Sequence, residues 1–170
     1  MQNVKAPDNN AEQIINRMIN DWQIPLLHTC CILLGDAEQA RDAVQETFVK
    51  AWHALPDFRG ECSEKTWLMR IAINTCHDIK RSMWFRFVDR RITPDDLPEP
   101  TCNPWNEDKS IFDEVCSLPV KQREVILLYY YHNMTVSDIA ETLNISQPSV
   151  SKRLKKAKQN LKTLLKEEAT

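Results

Sequence analysis

The chain has 170 residues, a formal net charge of -2 and only two glycines, Gly35 and Gly60. That length allows one domain or two small ones, and so little glycine argues against strands joined by tight turns and predicts an all-α fold. The near-neutral charge excludes a uniformly basic nucleic-acid coat, the polar N-terminus excludes a secretory signal, and the most apolar stretch, Ile24 to Leu34, is too short to span a bilayer.

A cytoplasmic protein is therefore expected, with its six cysteines reduced. No C-x-x-C pair exists. His28 with Cys31, and Cys76 beside His77, give no four-ligand spacing, so neither a metal nor a cofactor is expected.

In chain order, the first helix is predicted over roughly Glu12 to Leu34, interrupted or bent near Pro25. The second starts after Gly35 with Asp36 as its cap and runs to about Leu55. Ala40, Val44, Phe48, Ala51, Trp52 and Leu55 make its apolar stripe, and Asp42, Gln45, Glu46, Val49 and His53 line another face. Asp57 to Ser63 reads as a loop. A third helix follows from Glu64 to about Met83, with Leu68, Ile71, Ala72, Thr75 and Ile79 facing its core. Arg70, Asn74, His77 and Arg81 recur along one face of that helix. Basic side chains beside Phe58 and Arg59 suit single-stranded nucleic acid, although a solvated helix face reads the same way.

Next comes a stretch with Pro94, Pro98, Pro100 and Pro104 among Asp89, Asp95, Asp96, Glu99, Glu107 and Asp108. It cannot be a helix interior and reads as an extended, acidic linker. About 26 residues reach at most roughly 90 Å, enough to bridge two turns of DNA at about 70 Å. Two small helical domains are expected on either side: a three- to four-helix bundle over 10–84 and a second domain over 110–168, joined by the Pro-rich linker 85–109.

The second domain carries the sharpest local signals. Thr135 is a good N-cap, with Asp138 three residues on. Ile139, Ala140 and Leu143 form an apolar stripe, and Ala140 is small enough for a second helix to approach. Asn144 tolerates the left-handed conformation that ends a helix. Ser146 caps the next helix, and Pro148 fits in its first turn. Val150, Leu154, Ala157, Leu161 and Leu165 are its buried stripe. From Ser146 to Lys166 there are seven basic residues and no acidic one. A charge run alone would suit a solvated face. Cap, turn, small residue and basic helix together point to a DNA-reading helix-turn-helix, whose second helix meets base edges with its N-terminal part.

With these features in hand, Asp42-Ala-Val-Gln-Glu-Thr-Phe-Val-Lys-Ala-Trp52 and Phe58-Arg-Gly-Glu-Cys-Ser-Glu-Lys-Thr-Trp-Leu-Met-Arg-Ile-Ala-Ile-Asn74 resemble region 2 of bacterial sigma factors. Leu118-Pro-Val-Lys-Gln-Arg-Glu-Val-Ile-Leu-Leu128 with the helix-turn-helix resembles region 4. Two such regions and a short linker make the chain similar to the extracytoplasmic function (ECF) group of the sigma-70 family.

The resemblance implies a promoter-recognition subunit of core RNA polymerase that opens the -10 region; it is not an enzyme. It implies that Asp42, Gln45, Glu46 and Val49 meet the clamp helices of the largest subunit, and that Leu127 and Tyr130 meet the flap. Asp57, Phe58, Arg59, Gly60, Glu61 and Ser63 would capture a flipped -10 base, with Trp67, Arg70, Asn74, Lys80 and Arg81 along the neighbouring DNA. Gln147, Pro148, Ser149, Ser151, Lys152, Arg153, Lys155 and Lys156 would read the -35 element. A cognate anti-sigma factor is an expected partner, with the free chain a monomer not inserted in a membrane. Ala43 replaces an acid common in the region 2 signature, Asn144 replaces a turn glycine, and Cys62 is unusual in the base-capture loop. The competing readings are a stand-alone helix-turn-helix regulator, which would bind duplex DNA unaided, and a metal- or redox-responsive protein.

Overall fold

The computed structural model describes residues 9–90 and 109–168, and every regular element among them is helical. Helix α1 spans Asn9–Leu34 and runs through Pro25 without interruption. Gly35, in the left-handed region at φ 74°, turns the chain into α2, Ala37–Ala54. Asp36 caps α2 as expected, accepting from the Gln39 amide at 2.8 Å. A short 3-10 turn, Leu55–Asp57, leads to the loop before α3, Glu64–Arg90. Ser63 is the cap of α3, its hydroxyl accepting from the Thr66 amide at 3.0 Å. α3 outruns its expected end near Met83, so residues 85–90 are helix rather than linker. The linker prolines and acids from Pro94 to Asp108 lie outside the described residues.

The C-terminal unit comprises α4 (Lys109–Ser117), α5 (Val120–Ile126), a π-helical turn (Leu127–Tyr131), α6 (Val136–Leu143) and α7 (Gln147–Glu168). In the π turn the His132 amide reaches back to Leu127 O at 3.0 Å. The wide turn buries Leu127 and Leu128 while Tyr129 and Tyr130 stay exposed. Thr135 and Asp138 form a reciprocal capping box at the start of α6. Asn144 takes the left-handed conformation at φ 51° and ψ 50°, and the Ser149 amide donates to Ser146 Oγ at 3.3 Å in the first turn of α7. Val150, Leu154 and Ala157 are buried as expected. Leu165, expected on the same stripe, is 48% exposed; the packed face of α7 ends before it.

The two units pack against each other. α1, α2 and α3 form the first core, and α6 lies on α3 while α4 and α5 touch α1. One hydrophobic cluster therefore runs through both, from Met18, Leu26 and Ile73 to Val125, Ile139 and Val150. Leu68, Ala72 and Thr75 of α3 are buried as predicted, but so are Met69, Ile73 and Cys76. α3 is buried on more than one flank because α1, α2 and α6 all pack on it.

Polar groups tie the units at several points. Arg123 donates to Ile32 O at 2.9 Å, to Leu118 O at 3.0 Å and to Cys116 O, joining the end of α1 to the α4–α5 corner. Lys65 donates to His132 O at the C-terminal end of the π turn, where a cation suits the helix dipole. Thr29 Oγ1 lies 2.6 Å from His132 Nε2 and itself donates to Pro25 O. One hydroxyl proton cannot serve both, so the imidazole carries its proton on Nε2 and donates. His28 Nδ1 meets Tyr131 Oη at 2.6 Å.

Cys30, Cys62, Cys76 and Cys116 are free thiols. Cys31 is disulfide-bonded, which corrects the expectation that every cysteine is reduced. Pairing depends on which thiols the fold brings within bonding distance, and spacing along the chain does not encode that.

Candidate nucleic-acid interface

The loop between α2 and α3 and the first turns of α3 enclose a cavity of about 380 Å³. Phe58 stacks on Trp67 with ring centroids 4.7 Å apart and planes at 28°. Around that pair, Asp57, Arg59, Glu61 and Cys62 of the loop and Arg70 of α3 line the space. Gly60 gives the loop its turn at φ 71°. An aromatic floor with both acceptors and guanidiniums at the rim can stack a planar base and bond its polar edge. Ser63 stands apart from the cavity lining, occupied in capping α3.

Burial pushes the Cys62 thiol pKa up, and Glu141 adds to the rise. The thiolate is less favoured there than in a free cysteine.

Further along α3, Asn74 and Arg81 are exposed, while Lys80 is half-buried near Arg123 and Glu124, its pKa lowered chiefly by burial. Arg70 and His77 are half-buried, and each has a partner on another element. Arg70 Nη2 pairs with Glu141 Oε1 of α6 at 3.2 Å, and His77 Nε2 meets Glu124 Oε1 of α5 at 2.5 Å. That hydrogen bond to Glu124 raises the His77 pKa. Neither acid was singled out by sequence reasoning. Their partners lie on another element, and no local pattern links them.

On α7, Gln147, Pro148, Ser151, Lys152, Lys155 and Lys156 are exposed, and Ser149 and Arg153 are half-buried. This is one contiguous helix start, capped by Ser146, with its cations following. On α2, Asp42, Gln45, Glu46 and Val49 are all exposed, and Ala43, between them in sequence, is fully buried. Glu46 pairs with Lys50 at 2.8 Å. Of the two flap candidates, Tyr130 is 53% exposed, with Lys158 over its ring at 5.5 Å. Leu127 is 1% exposed and belongs to the core, so its expected role as a polymerase contact is corrected. The π turn decides which residues of the Leu-Leu-Tyr-Tyr-Tyr run point inward, and sequence periodicity does not reveal it.

The pairs once considered for a metal have other partners: His28 bonds Tyr131, His77 bonds Glu124, and Cys76 Sγ lies 3.5 Å from Cys30 Sγ.

Comparison with known proteins gives the same two units. The family Sigma-70 region 2 matches residues 18–86, and Sigma-70, region 4 matches residues 110–161. The ECF RNA polymerase sigma factor SigL of Mycobacterium tuberculosis is 32% identical over 164 residues, covering 92% of each chain. The ECF RNA polymerase sigma factor SigW of Bacillus subtilis is 26% identical over 181 residues, covering 98% of this chain and 95% of its own. Among solved structures, CnrH in complex with the cytosolic domain of CnrY superposes with a TM-score of 0.70 at 26% identity, covering 92% of this chain and 90% of that one. The sigma factor RpoE in complex with the anti-sigma factor NepR from Bartonella quintana shares the fold, with a TM-score of 0.75 at 21% identity over 94% of this chain and 98% of that one. The chain belongs to the sigma-70 family, in its ECF group of RNA polymerase sigma factors.

Proposed function

We propose that this sigma factor acts in the cytoplasm, docks on core RNA polymerase, and divides promoter recognition between its units: residues 10–84 take the -10 element and residues 110–168 the -35 element. The observation that carries the reading is the cavity with the Phe58–Trp67 stack, set at the head of a helix bearing Arg70, Asn74 and Arg81. A melted base has a place to enter there, and the strand it leaves has cations beside it. Unstacking costs a few kcal/mol, which stacking and edge contacts in such a pocket can offset.

The α7 start supplies duplex readout. Gln147, Ser149, Ser151, Lys152 and Arg153 reach base edges or nearby phosphates, and Lys155 and Lys156 neutralise the backbone. The exposed α2 face, with Asp42, Gln45, Glu46 and Val49, offers an acidic and partly apolar surface to a basic clamp. Tyr130 offers an aromatic anchor on the opposite unit. The protein contributes binding and strand separation, and the polymerase contributes the chemistry. An anti-sigma factor is the proposed inhibitor, as the solved complexes of similar sigma factors suggest.

The test is run-off transcription with purified bacterial core polymerase on a pool of promoter fragments, with and without this protein. Discrete protein-dependent starts are expected. Phe58→Ala should weaken use of the -10 element by about tenfold, from loss of a stacking contact. Arg153→Ala should weaken -35 dependence by a similar factor, leaving binding of a single-stranded -10 segment intact. Tight duplex binding by the free chain with no transcript would establish a stand-alone regulator instead.

A further inference from the structure

We propose that Lys158 is a positioning residue for polymerase docking: its ammonium lies over the rings of Tyr129 and Tyr130 and holds both in the orientation that the flap meets. The inference rests on the reading of Tyr130 as a polymerase contact, and adds a second ring and the cation that fixes the pair.

Spacing along α7 suggests a different role for this lysine. Ser151, Lys155, Lys158 and Lys162 recur at i, i+4, i+7 and i+11, so Lys158 continues the row that starts with proposed DNA contacts. One more phosphate contact would be the simplest role for it. Its ammonium lies elsewhere. Lys158 Nζ is 5.6 Å from the ring centroid of Tyr129 and 5.5 Å from that of Tyr130. The two rings meet edge to face, with centroids 5.0 Å apart and planes at 74°. Two nearly perpendicular π systems therefore share one cation. A hydrogen bond with Tyr130 is the main cause of a raised Lys158 pKa, which ties the ammonium to the same ring.

The backbone beneath explains why the rings need a brace. The π turn Leu127–Tyr131 buries Leu127 and Leu128 and leaves two consecutive tyrosines outside. Such turns recur at functional sites. Exposed rings without a neighbour sample several rotamers, and docking must then order them. A cation shared by both rings orders them beforehand. Because Lys158 belongs to α7, the brace also fixes the docking rings relative to the helix proposed to read the -35 element.

The experiment compares the full-length chain with four variants. Lys158→Met keeps the length and loses the charge, and Lys158→Arg keeps a cation that can lie on a ring. Tyr130→Ala removes the proposed anchor, and Lys156→Met removes a proposed phosphate contact. Each labelled chain is titrated with purified bacterial core polymerase, read by fluorescence anisotropy. Each holoenzyme is then titrated, at several salt concentrations, on a promoter duplex mapped by run-off transcription. Lys158→Met is expected to bind core about two- to fivefold more weakly, the scale of an exposed cation–π contact, with Lys158→Arg like wild type. Its salt slope on duplex DNA should be unchanged, whereas Lys156→Met should lower that slope by about one. Wild-type core affinity in Lys158→Met, a loss that Arg does not restore, or a salt slope lowered as in Lys156→Met overturns the brace. Tyr130→Ala reports on the underlying reading separately. If it binds core like wild type, the flap assignment falls and the role of Lys158 with it; if it binds weakly and Lys158→Met does not, only the brace falls.

Discussion

His132 makes the packing of the two units sensitive to acid. It is 4% exposed, donates to Thr29, and burial lowers its pKa from 6.5 to about 4. The neighbouring Lys65 ammonium and His28 push in the same direction. The sign follows from proton counting. Between pH 6.5 and about 4 the unfolded chain binds a proton that the folded chain refuses, so stability falls as pH falls through that window. The full effect is on the order of 3 kcal/mol. His132→Gln, which keeps a donor but cannot ionise, should lose stability at neutral pH yet show a much shallower fall below pH 6.5, read as Tm against pH. An equally steep fall would place the acid sensitivity elsewhere. Sequence gave no cue to this residue: its partner Thr29 is 103 positions away.

Among the elements, α6 is the one most dependent on its ends. Eight residues are too few for a helix to persist alone, so its start must be fixed by side chains. Thr135 and Asp138 each satisfy the other's amide, at 3.1 Å in both directions. Thr135→Ala should cost about 1 kcal/mol, seen as a lower Tm and weaker -35 binding, with single-strand binding by the first unit spared. A variant with unchanged Tm would mean that packing of Ile139 and Ala140 alone sets the helix. These caps, like Asp36, Ser146 and Asn144, were legible because each acts within a few residues of itself. The added length of α3, the π turn and the burial of Leu127 were not. The burial of Leu127 depends on tertiary packing, which periodicity along one helix cannot announce.

For the whole molecule, the closed packing joins surfaces that sequence reading had assigned to DNA, and it brings an ionisable contact with it. His77 is held by Glu124, with Asp78 and Lys80 of its own helix nearby acting in opposite senses. Its pKa is raised, chiefly by the Glu124 hydrogen bond, so its contribution to closure is fully present below pH 6.5 and is lost as pH rises through the raised value. The radius of gyration should therefore grow as pH rises above 6.5 and through the raised value, and His77→Gln should flatten that growth. A radius independent of pH would show that Arg70–Glu141 and the backbone contacts govern closure without His77. Both proposed surfaces were read from sequence, α7 through its caps and cations and the -10 loop through its resemblance. That the α3 surface is folded onto acids of the C-terminal unit was not, because Arg70 and His77 are separated from Glu141 and Glu124 by the entire linker.

One property follows from the Arg70–Glu141 pair being internal. An inhibitor on a separate chain is lost by dilution, so its hold depends on how much of each protein a cell contains. Two surfaces of one chain stay at a fixed effective concentration however few copies are made. The closed fraction is then a constant of the molecule, identical in the first copy synthesised and the last. At a given pH, a ligand that binds better to the chain with its units apart, such as polymerase or melted promoter, changes it.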